Sequence, residues 1–439
     1  MINMKSTKCF LMLFSILFTV SIQAQKLSRL EKEIIDRVDE NYNYSIQLLE
    51  RVVNINSGTL NLDGVKKVGD VFAKEFEAIG FNTTWFNMPK EVGRSGHLFS
   101  ELNKGKVKGK KLLLIGHLDT VFESDSPFQE FKKEGDMVYG PGVSDMKGGN
   151  VIIYAALRSL YEVGALKNTQ IIVAFTGDEE RVGNPISISR KDLVDAAKRS
   201  DIALGFEGAS GLNYATVARR SSGSWVLKTT GKRSHSSGIF SKNAGAGAIF
   251  EMSRILNTFY NELPEKNLTF NPATIVAGTT VNFNGKTSKG TTFGKSNIIP
   301  QATVVYGDIR CLTNEQIENT MNKMKSIVNN NHLPLTDASI EFHLKYPPMK
   351  PTPGNYEVLK VLEDVSQAMG QGKVEAFDPG KRGAGDISFV AEYVDGLDGL
   401  GTIGSGAHSP RERMDLTHFK VLTKRAAILI YRLINKKEE

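Results

Sequence analysis

The side chains best suited to chemistry begin at Ile115-Gly-His117-Leu-Asp119-Thr120. His117 stands one glycine beyond the apolar run Leu112-Leu-Leu-Ile115, which reads as a parallel strand buried on both faces. It therefore stands at the carboxyl end of that strand, the sheet edge where loops converge on a ligand crevice. A metal-bound imidazole needs an acceptor on its other ring nitrogen to fix the tautomer, and Asp119 can be that acceptor. Taken alone, the pair is explained as well by a buried histidine held for packing.

Other stretches complete a constellation. Gly140-Pro-Gly-Val-Ser-Asp145 opens a loop into a helix. The strand 170–176 runs out into Gly-Asp-Glu179-Glu180, the strand 201–206 into Glu207, and a strand at 400–403 into Gly404-Ser-Gly-Ala-His408. All of these can meet in one crevice. Zinc takes imidazole and carboxylate in tetrahedral sets, with a position left open in catalytic sites. If Asp145 bridges two ions, one takes His117 and Glu207, the other Glu180 and His408, and a shared hydroxide completes both. The charges of two Zn²⁺, these carboxylates and hydroxide then sum to about zero, so no large net charge is buried. An adjacent Glu pair usually marks a solvated turn, but this one ends a buried strand. Glu180 can then bind metal while Glu179 serves as general base, moving a proton from the attacking water to the leaving nitrogen.

The elements that must position these residues alternate as strand and helix. A helical segment covers 26–53 with a break near Asn41, and a helix from Val65 to Ile79 is stopped by Gly80. Strands at 81–86, 111–115, 170–176 and 201–206 and a helix at 148–163 make an α/β sheet flanked by helices. From Ser221 the order becomes strand 224–230, helix 244–260, strand 274–283, strand 303–311, helix 313–330 and strand 339–345. That is βαββαβ, a ferredoxin-like α+β domain inserted into the first. The Pro-rich stretch 346–353 leads back to a helix at 356–369, a Gly-rich loop at 380–385, another helix, the strand 400–403 and a final helix at 416–435. The expected division is catalytic 25–220, inserted lid 221–345 and catalytic 346–439.

Residues 1–24 carry Lys5 and Lys8, an apolar run from Phe10 to Val20, and a small residue, Ala24, at a cleavage point. They read as a secretory signal, too short for a membrane span. The mature protein is thus exported, periplasmic or secreted, with no stable membrane anchor. Its net charge falls from +7 to +5, since residues 1–24 hold two lysines and no acid. The charge is diffuse and forms no block of the kind that binds nucleic acid. Cys311 is then the only cysteine left, so no intramolecular disulfide braces the chain.

The motifs GHLDTVF, YGPGVSDMKGG, GDEE, FEG and GAHSP together resemble the dinuclear zinc carboxypeptidase and aminoacylase family, and within it the secreted glutamate carboxypeptidase branch. The similarity covers nearly everything after the signal. It implies a zinc-dependent exopeptidase fold with two Zn²⁺ per subunit, or other divalent ions such as Co²⁺ or Mn²⁺. It also implies His117, Asp145, Glu180, Glu207 and His408 as ligands, Asp119 as orienter and Glu179 as base. It further implies a lid that dimerises, with His235 of Gly231-Lys-Arg-Ser-His235 stabilising the oxyanion, often from the partner subunit, and with Asn297 and Arg310 on the substrate carboxylate. Two departures bear on a glutamyl preference. Tyr346-Pro-Pro-Met stands where glutamate-cleaving relatives carry an arginine, and Arg382-Gly-Ala-Gly-Asp386 has Gly where many have Ser or Thr. The expected function is release of a C-terminal amino acid from short peptides or N-acyl amino acids. The alternatives are an aminoacylase or dipeptidase with the same machinery, or an inactive metal-binding relative. The last would have lost the base or a ligand, and none is missing. His97, His332, His343 and His418 match no motif and read as ordinary strand, loop or surface histidines.

Overall fold

The computed structural model describes residues 26–436 apart from residue 286. The signal segment expected at 1–24 lies outside them. The first helix, Arg29–Glu40, starts from a reciprocal cap: the Ser28 hydroxyl accepts from the Glu31 N–H, and the Glu31 carboxylate accepts from the Ser28 N–H. It breaks at Asn41 and resumes as Tyr42–Val53. Helix Leu62–Ala78 ends where Gly80 takes a left-handed φ of 84°, a turn that a side chain would strain.

The central sheet is mixed, with edge-to-edge order Asn82–Asn87, Gly96–Lys104, Thr169–Thr176, Leu112–His117, Ile202–Gly205 and Asp395–Leu397. The first two pairings are antiparallel and the rest parallel. Alternation along Leu112–His117 explains why both faces are covered. Leu112 and Leu114 enter the larger core with helices Leu62–Ala78, Lys147–Glu162 and Leu416–Asn435, while Leu113 and Ile115 face Leu193, Ala196, Ile387 and Val390. Burying one such leucine contributes about 1.5–3 kcal/mol, so the strand that ends in His117 is among the least free to move.

The second sheet has the order Thr269–Gly278, Ala302–Arg310, Ser222–Gly231 and Thr336–Tyr346, all antiparallel. Helices Ala248–Glu262 and Asn314–Asn329 cover one face, over a core that includes Trp225, Ile255, Phe259, Val305 and Ile309. The first strand lies between the third and fourth, as the ferredoxin-like βαββαβ expectation requires.

Several elements differ from the sequence reading. Residues 400–403 form no strand; the parallel edge strand is Asp395–Leu397, and Gly399, at φ 75°, turns the chain away. Leu400, Gly401 and Thr402 are still buried, because they bond to the 205–209 segment: Leu400 N–H to Gly205 O at 3.2 Å, Gly401 N–H to Glu207 O at 3.0 Å and Ala209 N–H to Thr402 O at 2.8 Å. Burial without ladder pairing left a strand-like apolar signal. His408 therefore follows Gly404–Ser405, a strand of a separate small sheet with Arg413–Asp415 and Met137–Tyr139. The helix expected after the Gly-rich loop is a single 3₁₀ turn, Asp386–Phe389. The stretch 274–283 divides into the lid strand ending at Gly278 and a hairpin strand Thr280–Asn284 paired with Lys289–Phe293. Helix Ala248–Glu262 begins four residues later than expected, because Gly245 and Gly247 sit at φ 73° and 82°. Strand Gly96–Lys104 was not anticipated; His97 and Ser100 are wholly buried in it and disguise its pattern.

Candidate metal centre

Strands Leu112–His117 and Thr169–Thr176 lie side by side with His117 opposite Thr176, so the Asp178-Glu179-Glu180 turn leaves the sheet beside the imidazole. Glu207 leaves two residues after the neighbouring strand Ile202–Gly205. Asp145 arrives on the loop that starts helix Lys147–Glu162. The structure brings these side chains and His408 together. His117 Nε2 lies 3.3 Å from Asp145 Oδ1 and 3.7 Å from Glu207 Oε1. His408 Nε2 lies 3.1 Å from both Asp145 Oδ2 and Glu180 Oε2. Donor atoms of His117, Glu179 and Glu207 fall within 4.8 Å of one another, as do those of His117, Asp145 and Glu180.

Two observations fit a metal to these residues. His117 Nδ1 faces two acceptors, the Asp119 carbonyl at 2.9 Å and its carboxylate at 3.3 Å, so its proton sits there and Nε2 offers a lone pair. That lone pair points at two carboxylate oxygens, an arrangement that calls for a cation between them. The titration of the groups makes the same demand. Burial raises Glu179 far above the ordinary carboxylate range, with the Glu207 charge adding to it, and burial likewise lifts Glu180. Glu207 is pushed up to about 7 by burial and then by the Asp145 charge. Burial works against the Asp145 carboxylate too, but hydrogen bonds from His117 and His408 outweigh it and lower its pKa. Hydrogen bonds to Asp145 and Glu180 raise His408 to about 11, and bonds to Asp119 and Asp145 overcome burial to raise His117.

Asp119 does more than orient His117. Its Oδ1 accepts from the Glu179 N–H at 3.0 Å and its Oδ2 from the Glu180 N–H at 3.2 Å and the Thr59 hydroxyl at 2.6 Å. One buried carboxylate thus fixes both the imidazole and the turn that carries two candidate site residues. The same turn is held from below by Arg190, which bonds Asp178 and Asp386, and by Tyr346, whose hydroxyl donates to Glu179 O at 2.7 Å. His97 is a core histidine, with Nδ1 accepting from the Gly177 N–H at 3.1 Å and Nε2 facing Ser189 O at 2.7 Å.

Glu412 was missed in the sequence. It is buried, and its Oε1 accepts from the Ser144 and Asp145 N–H groups at 2.9 Å each, with its Oε2 3.3 Å from the Gly142 N–H. It grips the Asp145 loop by its backbone. Replacing a group that supports a ligand from behind typically costs 10–100-fold in metal affinity or activity. Glu412→Ala is expected to lower metal affinity by about that much while the helical content stays intact, read by competition against a coloured chelator and by circular dichroism. Unchanged metal affinity would remove Glu412 from the site.

The lid residues lie apart from this cluster. His235 and Asn297 are exposed and adjacent, with the Ser236 N–H bonded to Asn297 O at 2.9 Å. No ion pair or hydrogen bond among the described residues joins His235 to the carboxylate cluster; its Nδ1 accepts from the Ser237 N–H at 3.2 Å. Arg310 ends a lid strand and bonds Asp308 at 3.2 Å. Its Nη1 comes within 3.6 Å of the position a Cβ would take at Gly383, so it reaches the Gly-rich loop of the first sheet's domain. Arg219 secures that loop, donating to Gly383 O at 2.9 Å and Ala384 O at 3.1 Å while paired with Asp398.

A mixed sheet flanked by helices, a ferredoxin-like insertion, and imidazoles with carboxylates at the strand ends define a metal-dependent hydrolase. The chain belongs to peptidase family M20/M25/M40, whose model matches residues 113–432. It is 30% identical over 391 residues to carboxypeptidase G2 of Pseudomonas sp. (strain RS-16), covering 85% of each chain. It is 26% identical over 233 residues to a probable succinyl-diaminopimelate desuccinylase of Staphylococcus aureus (strain MSSA476), spanning about half that protein's length (53%). Among solved structures it resembles aminopeptidase PepT of Bacillus cereus with a TM-score of 0.69 at 16% identity, covering 90% of this chain and 99% of that one. A dinuclear metal binding peptidase of the M20 family from Bacillus subtilis matches with a TM-score of 0.65 at 14% identity, covering 91% and 99%. These two likenesses concern the fold. The chain is thus a hydrolase of a metallopeptidase family, and no helix among the described residues is long and apolar enough to cross a membrane.

Proposed function

We propose that this is an exported two-zinc exopeptidase that releases an amino acid with a free α-carboxylate from short peptides or N-acyl amino acids. The observation that carries the reading is the position of Asp145, whose Oδ1 faces His117 and whose Oδ2 faces His408. One carboxylate thereby joins two half-sites, His117 with Glu207 and His408 with Glu180. These five residues would hold the ions, with Co²⁺ or Mn²⁺ able to replace zinc. When bound, the ions supply Lewis acidity that polarises the scissile carbonyl and lowers the pKa of water.

The remaining work falls to the chain. Glu179 takes the proton of the attacking water and delivers it to the leaving nitrogen. Asp119 holds His117 and the Glu179–Glu180 backbone in register. His235, its Nδ1 already occupied as an acceptor, carries its proton on Nε2 and donates to the oxygen that becomes negative. Arg310 and Asn297 take the substrate carboxylate. The lid that carries these three residues also forms the homodimer. Tyr346 offers no cation to a released side chain: its hydroxyl is spent on Glu179 O and its ring packs on Phe389 at 4.9 Å. The released residue therefore need not be glutamate.

Metal analysis with a panel of free-acid dipeptides, N-acyl amino acids and their C-terminal amides tests this reading. Two metals per chain and hydrolysis of the free acids are expected; a metal-loaded protein inactive on the whole panel would overturn it. Arginine grips a carboxylate with a planar fork that lysine cannot copy, and a hydrogen bond to a charged group contributes about 1.5–3 kcal/mol. Arg310→Lys should accordingly lower kcat/KM about 10–100-fold on acids and far less on amides. Equal losses on both would count against Arg310 as the carboxylate clamp.

A further inference from the structure

Arg425 projects from the middle of the final helix, Leu416–Asn435, and is 4% exposed. The two arginines buried more deeply are each neutralised, Arg190 by Asp178 and Asp386 and Arg219 by Asp398. Arg425 has no carboxylate at ion-pair distance among the described residues. Of its five N–H donors, Nη1 bonds Leu212 O at 2.7 Å, and Nε is buried without any partner. Burial alone lowers its pKa to about 10, with no charged group contributing in either direction. A guanidinium withdrawn from water without a counter-charge is costly, and such groups in folded proteins are paired.

A cavity lies against this side chain, walled by Ala209, Gly211, Tyr214, Gly399 and Leu400. It is partly open to solvent and leaves about 10 Å³ for the centre of a water-sized sphere, which is room for one species of about that size. A carboxylate or phosphate is too large, and a water molecule would leave the charge uncompensated. We propose that Arg425 and this cavity form a binding site for a single halide ion, which is chloride under ordinary conditions. Ala209 and Leu400 belong to the two segments bonded to each other through Glu207 O and Thr402 O, so the ion pins the final helix to the loops that carry Glu207.

The test uses the full metal-loaded protein, unfolded thermally in sodium chloride and in sodium gluconate at equal ionic strength and pH. Gluconate cannot enter the cavity. A ligand that binds only the folded state raises Tm with its concentration, here by about 2 °C for each tenfold rise in chloride beyond saturation. Arg425→Met keeps an apolar stem and removes the charge, so its chloride curve should fall onto its gluconate curve. A halide effect exerted at the metals would persist in that variant and thereby overturn the assignment. Crystals of the unaltered protein grown in sodium bromide should show an anomalous peak in contact with the Arg425 guanidinium, a readout that does not depend on the variant folding. Equal Tm in the two salts, or a bromide map without that peak, overturns the proposal.

Discussion

Glu179→Gln protein is expected to retain both metals and to lose about 10²–10⁴ or more in turnover. The geometry makes this substitution decisive, because Glu179 has two roles open to it. Its carboxylate shares a 4.8 Å cluster with His117 and Glu207, close enough to be a ligand, yet it follows a strand end beside Glu180, which faces His408 and Asp145. Glutamine preserves the volume and one coordinating oxygen but cannot carry a proton. If Glu179 is the base, metal content stays at the unaltered level, substrate still binds, and kcat falls with little change in KM. If it is a ligand, metal is lost along with activity. Metal analysis and single-turnover hydrolysis on the same preparation separate the two, and normal turnover would dismiss Glu179 from the chemistry. The backbone should tolerate the change, because Asp119 holds the turn through N–H groups that the substitution leaves intact.

Much of this centre could be read from the chain because most of the candidate ligands sit next to a local signal. Leu112–Ile115 is apolar without interruption, which marks a strand buried on both faces and places His117 at its end. The run into Thr176-Gly-Asp-Glu179-Glu180 works the same way. The supports behind these residues carry no such signal. Glu412 accepts from an N–H group 267 positions away, and the pair Arg190–Asp386 spans 196 positions. Nothing in spacing or hydropathy relates such partners, since their distance is set by how the sheet and its covering segments come together. The misplaced strand at 400–403 and the overlooked strand Gly96–Lys104 are mirror errors. In the first, apolar residues are buried as a loop bonded to the 205–209 backbone. In the second, a true strand buries His97 and Ser100, whose polarity hides it. Arg425 belongs with Glu412: in a helix that also carries Lys420, Lys424 and Arg432, nothing in the sequence marks it for burial, and only tertiary packing makes it a buried cation.

His235→Ala protein is expected to lose about 10²–10³ in turnover, the usual cost of removing one donor aimed at a developing oxyanion. The residue belongs to the lid, is exposed, and has its Nδ1 engaged by the Ser237 N–H, so the neutral imidazole presents its proton from Nε2. Within the described chain it touches none of the carboxylates around His117. Reaching a scissile carbonyl therefore requires either closure of its own lid or delivery by a second copy. Mixing discriminates between these. If the protein is the dimer proposed above, Glu179→Gln homodimers lack the base in both sites, and His235→Ala homodimers lack the donor in both. In a hybrid where His235 acts across a two-fold interface, one site receives the intact base from one subunit and the intact donor from the other, and the second site lacks both. Activity should then rise on mixing, towards one quarter of the unaltered level: random exchange makes about half the dimers hybrids, each with one competent site. If His235 acts within its own subunit, every site in every hybrid lacks one group and mixing restores nothing. Subunit exchange is verified independently by native mass spectrometry of differently tagged chains, so that failed exchange is not mistaken for action within one subunit. Full activity of the His235→Ala homodimer would take the residue out of the mechanism in either arrangement.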